Sequence, residues 1–209
     1  AQAIEAEQPD IIGLQEVSRG WVVNGSVDNL IWLSRRLDMP YIFHPVTDPA
    51  FGNAILSRYP ITDYEFIPLP PDDLPLVRGM IWAKIDVGRD APLNFFVTHY
   101  HHRSEDSDIR VVQSEAVIAA LPTDGMVVFV GDLNAEPGSP EMLLLEEFGL
   151  AEVVESAGIA PGYTYSPLDP VRRIDYIWLS SDLQAENVSI TTEPASDHMG
   201  IAATVGSGE

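Results

Sequence analysis

Carboxylate, amide and imidazole side chains recur in this sequence where apolar runs stop. Glu16 closes the run Ile11–Val17, Asp132 and Asn134 close the run that begins at Met126, and Asp175 opens Ile174–Leu179. Asp197 and His198 stand just before Ile201–Val205. A polar residue directly after a fully apolar strand has no partner in the core, so it either caps a turn or faces a cleft. Capping explains one such residue well, but four of them together with Asp197–His198 read better as a shared site. Oxygen ligands with an imidazole suit Mg2+ or Mn2+ acting on a phosphate group. The chain has no cysteine, which excludes disulfides and thiolate metal sites and leaves carboxylate, amide and imidazole ligands.

The elements that must position these groups are mostly strands. Apolar, β-rich runs occupy Ile11–Val17, Tyr41–Val46, Ala54–Tyr59, Met80–Val87, Leu93–Tyr100, Met126–Leu133, Ile174–Leu179, Val188–Thr191 and Ile201–Val205, each ended by Gly, Pro, Asp or Asn. That is too many strands for one simple sheet. Helical patterns cover Ala1–Gln8, Asp28–Leu37, Ser107–Leu121 and Pro140–Phe148, with Ile109, Val112, Ala116 and Ala119 forming the apolar face of the third. Helices are too few for strict βαβ alternation. An α/β architecture follows, with two mixed β-sheets packed face to face and helices outside. No linker or repeat is visible, so residues 1–209 read as a single domain, with Pro68–Pro75 as a surface loop that could border a site.

Charge narrows the partners. The formal net charge is −21, from 11 basic and 32 acidic residues. Binding to a long duplex draws most of its strength from cations set against phosphates, so duplex nucleic acid is a poor partner for this chain. No run of apolar residues is long enough to span a bilayer. The sequence opens on Ala1 inside an apparent helix, which reads as a fragment of something longer and leaves its cellular address open.

Five blocks in order carry a resemblance: Ile12-Gly13-Leu14-Gln15-Glu16-Val17, Gly52-Asn53-Ala54-Ile55-Leu56-Ser57, Thr98-His99, Gly131-Asp132-Leu133-Asn134, and Arg173-Ile174-Asp175-Tyr176-Ile177 with Ser196-Asp197-His198. Over nearly its whole length the chain resembles the endonuclease/exonuclease/phosphatase superfamily. The resemblance implies a four-layer α/β sandwich with the site at one end of the two sheets. It makes Glu16 the principal metal carboxylate, with Asp197 beside the metal, and Mg2+ or Mn2+ the cofactor. Asp132 and Asn134 would position the attacking water and hold a phosphate oxygen. His198, oriented by Asp175, would be the general base or a phosphate contact, and His99 would contact the scissile phosphate or assist the leaving group. Arg78 and Asn53 are phosphate-binding candidates, although an ion pair and a tight turn account for them equally well. His101 and His102 read as loop histidines, because H-x-H-H without further ligands is a weak zinc signal. Members of the superfamily normally begin with a strand that supports the metal site, and this chain starts after it.

The stretch from Ser18-Arg19-Gly20-Trp21 to Asn24-Gly25-Ser26, with Asp28, Trp32-Leu33-Ser34 and Arg36-Leu37, is similar to the soluble C-terminal domain of the fungal membrane protein that remodels glycosylphosphatidylinositol lipids. That resemblance implies a lipid or small-molecule phosphoester substrate and a tether to a membrane through a segment outside this sequence. Two other readings stay open. A nuclease or DNA-end-processing phosphodiesterase would use Arg172–Arg173 or Arg35–Arg36 as strand contacts, and a non-catalytic binding domain would keep the fold without the chemistry.

Overall fold

Two sheets lie face to face, and their side-chain alternation decides what each face meets. The computed structural model describes residues 1–22, 25–191 and 195–208. On one side β1 (Ile11–Ser18) pairs antiparallel with β3 (Phe51–Ser57), which pairs antiparallel with β2 (Tyr41–Asp48). On the other, six strands run in the order β4 (Ile61–Leu69), β5 (Arg78–Ile85), β6 (Leu93–His99), β7 (Val127–Asp132), β9 (Asp175–Leu179) and β8 (Ala151–Glu152). This second sheet is mixed, because β6 and β7 are parallel while the other pairs are antiparallel. A hairpin of β10 (Leu183–Ile190) and β11 (Ile201–Ser207) forms a separate ladder.

Period-two alternation sends one face of each strand into a shared core and the other toward helices. Ile55, Val97, Phe95, Val128 and Val130 meet between the sheets. There a Cβ on Gly13 would fall 2.5 Å from Val130 Cγ2 and 2.8 Å from Val97 Cγ2, so β1 approaches the second sheet too closely for any side chain at that position. On the outer face of the first sheet, Ile12 and Leu56 pack against Leu30 and Leu37 of α2 (Asn29–Leu37). Ile4 of α1 (Gln2–Glu7) joins the same cluster. On the outer face of the second sheet, Phe96, Phe129 and Trp178 pack against Val117 of α3 (Ser107–Ala120) and Met142 of α4 (Pro140–Glu147). The layers are therefore helix, sheet, sheet, helix, as expected of the four-layer sandwich, although the three-stranded sheet is wholly antiparallel. The short α5 (Val153–Ser156) is capped by Glu152, whose side chain accepts from the Val154 and Glu155 amides.

Two departures from the sequence reading have clear causes. The strand β4 has the pattern Ile-Thr-Asp-Tyr-Glu-Phe-Ile-Pro-Leu and lies at a sheet edge with most of its side chains exposed. Asp63, Glu65 and Pro68 hide it in the sequence because edge strands carry charges and proline where central strands cannot. The loop that follows therefore begins after Leu69 rather than at Pro68. The second departure is the inward face of α3, which is Arg110, Gln113, Ser114 and Val117, while Val112 is exposed. An apolar stripe is not what this helix buries. Arg110 donates from Nε to Glu141 Oε1 of α4 at 2.6 Å, and its remaining nitrogens donate to the carbonyls of His101, Arg103 and Ser104. Gln113 accepts from the His101 amide at 2.9 Å and Ser114 donates to the Tyr100 hydroxyl at 3.1 Å. The polar face of α3 thus pins the segment that leaves β6.

Candidate active site

Strand register alone gathers three of the expected residues. His99 pairs with Asp132 across the parallel β6–β7 ladder, and Asp132 pairs with Asp175 across β7–β9, which sets the three in one row at the end of the sheet. Gly131 is required there, since a Cβ would lie 2.4 Å from the Thr98 carbonyl oxygen. From the other sheet, Glu16 enters at an irregularity between Leu14 and Val17, with φ at 55°. A bulge re-aims a side chain that regular pairing would turn elsewhere, and a non-glycine residue in left-handed backbone stores strain that the surrounding fold must hold. Asn134 has φ at 50°, which asparagine tolerates better than most residues. Its amide donates to Asp132 Oδ1 at 2.9 Å and its Nδ2 to the Tyr100 carbonyl at 3.3 Å.

His198 closes the row. Its Nδ1 lies 2.9 Å from Asp175 Oδ2, and its Nε2 lies 3.8 Å from Asp132 Oδ2. A carboxylate only accepts, so Nδ1 carries the proton and Nε2 faces Asp132. The ring is held on its other side by Tyr165, whose centroid is 5.0 Å away, and Thr164 Oγ1 accepts from the Ile174 and Asp175 amides. His99 is buried, with Nε2 at 3.3 Å from Asp132 Oδ2 and Nδ1 at 3.8 Å from Glu16 Oε1. It therefore separates Glu16, whose side chain is largely exposed, from the buried Asp132.

Burial and charge set the protonation states. Burial holds His99 well below the ordinary imidazole value, helped by the nearby Arg78 and His198, so it is neutral at pH 7. Burial raises Asp132 above the usual carboxylate range, and the charge of Asp175 raises it further against His198, the Asn134 amide and Arg78. For His198 burial acts downward, but the hydrogen bond and charge of Asp175, with Asp132 and Asp197, outweigh it and raise the imidazole to about 9. The row thus sets a neutral imidazole and an imidazolium against the carboxyl groups of Asp132 and Asp175.

Arg78 is 6% exposed, and its Nε has no hydrogen-bond partner among the described residues. Desolvation lowers its pKa while the charges of Asp132 and Glu16 oppose that, which places the guanidinium within the field of both carboxylates. A buried donor left unpaired is costly, which leaves this one available to an anionic ligand. Asn53, from β3 of the other sheet, donates from Nδ2 to the Gly79 carbonyl at 3.1 Å, bracing the strand that carries Arg78.

Oxygen and imidazole donors suit a hard divalent cation. Asp132, Asp175 and His198 present ligand atoms all within 4.8 Å of one another. The mutual repulsion of the two carboxylates is what a cation would relieve. Asp197, expected beside the metal, is exposed, and its Oδ1 accepts from Ser196 Oγ. The tight cluster is therefore built on Asp132 and Asp175, two residues the sequence reading gave to the chemistry rather than to the metal. His101 and His102 lie in the loop between β6 and α3, as expected; His101 is buried and its Nε2 meets Asp106 Oδ2 at 2.7 Å, while His102 is exposed. Thr164 and Tyr165 support the site but were missed, because nothing in Tyr163-Thr164-Tyr165 distinguishes it from an ordinary loop. Of the stretch similar to the lipid-remodelling branch, Asn24 lies outside the described residues.

Residues 1–198 match the family model described as Endonuclease/Exonuclease/phosphatase family. The uncharacterized protein YbhP of Escherichia coli K12 is 25% identical over 158 residues, covering 74% of this chain and 62% of that protein. The chain thus spans less than two thirds of the length of that curated relative. Among solved structures it is similar to the endonuclease/exonuclease/phosphatase from Beutenbergia cavernae DSM 12333, with TM-score 0.82 and 21% identity over 99% of this chain and 65% of the other. It is also similar to the human Nocturnin catalytic domain with bound sulfate anion, with TM-score 0.80 and 22% identity over 98% of this chain and 83% of the other. At these identities the likeness shows a shared fold.

Proposed function

This chain belongs to the endonuclease/exonuclease/phosphatase family, whose members are mostly hydrolytic enzymes acting on phosphate esters, and on that footing we propose that it hydrolyses the phosphoester of a small-molecule or lipid head group. The observation that carries the reading is the buried, unpaired Arg78 beside a row of two carboxyl groups and an imidazolium. That pairing offers a phosphate both a fixed cation and a proton acceptor. The sulfate bound by the Nocturnin catalytic domain fits an anion-binding site on this fold.

Residue roles follow from charge state. Asp132, a carboxylate with a raised pKa, is poised to take the proton of a water that attacks phosphorus. His198, held charged by Asp175, donates from Nε2 to a phosphate oxygen or to the departing oxygen as the ester bond breaks. Arg78 supplies planar donors to the remaining phosphate oxygens. Asn134 fixes Asp132 through its amide, and His99, neutral and buried, separates Glu16 from Asp132. A divalent cation, Mg2+ or Mn2+, would be held by the carboxylates of Asp175 or Glu16, leaving Asp132 to accept the proton, and would supply further charge against the phosphate.

The small-substrate reading is supported by where the cations are. Arg172 is paired with Glu136 at 3.1 Å, Arg173 is buried against Glu152 at 3.5 Å, and Arg36 is paired with Glu5 at 2.8 Å. Three of the four arginines that a nuclease would offer to a strand, Arg36, Arg172 and Arg173, are therefore already paired. A net charge of −21 repels a polyanion at long range, while a small phosphoester feels mainly the local site. A tether near a bilayer, implied by the resemblance to the lipid-remodelling branch, would suit a lipid head group. No helix among the described residues is long and apolar enough to cross a membrane. The test is kcat/KM with Mg2+ at roughly physiological salt, near a screening length of about 8 Å, for a p-nitrophenyl phosphodiester, a phosphoinositide head group and a short duplex. The small substrates should be preferred, and a duplex preferred by about tenfold or more would transfer the reading to the nuclease class.

A further inference from the structure

His198 and Asp175 form a pair whose members come from separate ladders. Asp175 opens β9 in the six-stranded sheet, whereas His198 stands before β11, which pairs with β10 alone. Their contact at 2.9 Å is a side-chain hydrogen bond between residues 23 positions apart, so sheet register does not fix it. What joins the two backbones is Thr164, which is fully buried. Its Oγ1 accepts from the Ile174 amide at 3.1 Å and the Asp175 amide at 3.2 Å, and its carbonyl accepts from the Met199 amide at 2.7 Å. Thr164 is itself anchored, because its amide donates to the Arg172 carbonyl at 2.8 Å. The next residue, Tyr165, makes a single antiparallel bridge to His198 and sets its ring 5.0 Å from the imidazole. One residue thus holds the start of β9 with its side chain and the residue after His198 with its main chain.

We infer that Thr164 is a positioning residue for the proposed hydrolysis: it fixes the separation of Asp175 and His198, and so the aim of the imidazole at the phosphate. Its effect on turnover rests on the phosphoester reading; its effect on the pair does not. The residue type suits the task. A hydroxyl oxygen carries two acceptor lone pairs, enough for both amides. Branching at Cβ restricts χ1, so the acceptor is held in one place before any ligand arrives. Valine would keep the branch and nearly the volume but would take the acceptor from two backbone amides, which must then shift to find other partners. A displacement of about 1 Å in a reacting group costs on the order of 10²-fold in rate. Arg78 lies on β5, outside this set of bonds, so loosening Thr164 bears on turnover more than on phosphate binding.

The test compares wild type with Thr164→Val, Thr164→Ser and Ser180→Ala. Ser180 is the control: just beyond the far end of β9, its Oγ accepts from the Val127 amide at 2.9 Å, the same kind of bond remote from the pair. Two readouts are taken, the hydrogen-bonded Nδ1 proton of His198 by NMR of metal-free protein labelled with 15N-histidine, and kcat and KM for bis(p-nitrophenyl) phosphate with Mg2+. Thr164→Val should lose the Nδ1 signal and lower kcat by about tenfold or more with KM within about threefold. Thr164→Ser should keep the signal and a kcat within about threefold of wild type, and Ser180→Ala should keep both even where its unfolding temperature falls as far as that of Thr164→Val. A folded Thr164→Val protein that retains the signal and kcat would overturn the inference, as would a Ser180→Ala protein that loses them equally. Should Thr164→Val fail to fold, Thr164→Ala set against Thr164→Ser isolates the hydroxyl, and equal signals and kcat in those two would overturn it as well. Absence of hydrolysis in wild type would remove the phosphoester reading, and the NMR comparison would still decide what holds the pair.

Discussion

Replacing Arg110 by Met strands the carboxylate of Glu141 in the seam between α3 and α4. Glu141 is fully buried and Arg110 is 4% exposed, and the pair is joined at 2.6 Å. Once the guanidinium is gone, the hydroxyl of Ser107, donating to Oε2 at 2.7 Å, is the partner left to Glu141, and the carbonyls of His101 and Ser104 lose donors as well. Breaking a buried pair from one side costs about 3–5 kcal/mol, because the uncompensated charge remains. That is a large fraction of the roughly 5–15 kcal/mol that holds a typical domain folded. The double variant Arg110→Met, Glu141→Leu removes both charges and should lose less than the single one, since replacing an entire buried pair by apolar groups is often close to neutral. Urea unfolding monitored by tryptophan fluorescence measures both. A single-variant loss below about 1 kcal/mol, or a double variant no better than the single, would refute the view that this pair is a buried clamp on the segment leaving β6.

Other outcomes follow from the same reasoning. Asp175→Asn removes the carboxylate that keeps His198 charged, so the imidazole, now at about 9, should titrate markedly lower when followed by NMR in metal-free protein; an unchanged value would remove Asp175 as its partner. Arg78→Lys replaces a planar donor set with a single ammonium and should raise KM for a phosphodiester more than it lowers kcat; equal kinetics would place Arg78 outside the phosphate contact. Burial holds His44 below its ordinary value, so the unfolded chain takes up a proton first as pH falls. Stability should therefore be full above about pH 6.5 and decline below it toward the lower folded value. His44→Phe, which keeps a ring against Phe66, should flatten that decline in urea titrations at successive pH values.

How much of this was legible in the sequence depends on whether a residue's neighbours lie in the sheet. The row His99, Asp132 and Asp175 could be anticipated because each stands at the end of an apolar run, and runs of similar length that pair side by side finish together. Glu16 was visible for the same reason, although the bulge and left-handed backbone that aim it were not. The inward face of α3 was misjudged because periodicity tracks apolar residues, while this helix buries Arg110, Gln113 and Ser114 against partners distant in the chain. Edge strand β4 was missed because charges and proline there answer to solvent and aggregation rather than to a core. Thr164 and Tyr165 carry no local signal at all. Their roles exist only once the loop has folded back onto Asp175 and His198.

The central claim, hydrolysis of a phosphoester by the Asp132, Asp175 and His198 row with a divalent cation, is tested most directly by one titration. Hydrolysis of bis(p-nitrophenyl) phosphate would be followed in EDTA-stripped wild-type protein and in His198→Ala as Mg2+ or Mn2+ is added back. The stripped wild type should be inactive and should recover saturably with added cation. At saturating cation His198→Ala should remain lower in kcat by about 10²-fold or more, within the range that losing a positioned acid or base costs. Undiminished turnover in excess EDTA, or a His198→Ala kcat within about threefold of wild type at an unchanged fold, would contradict the account.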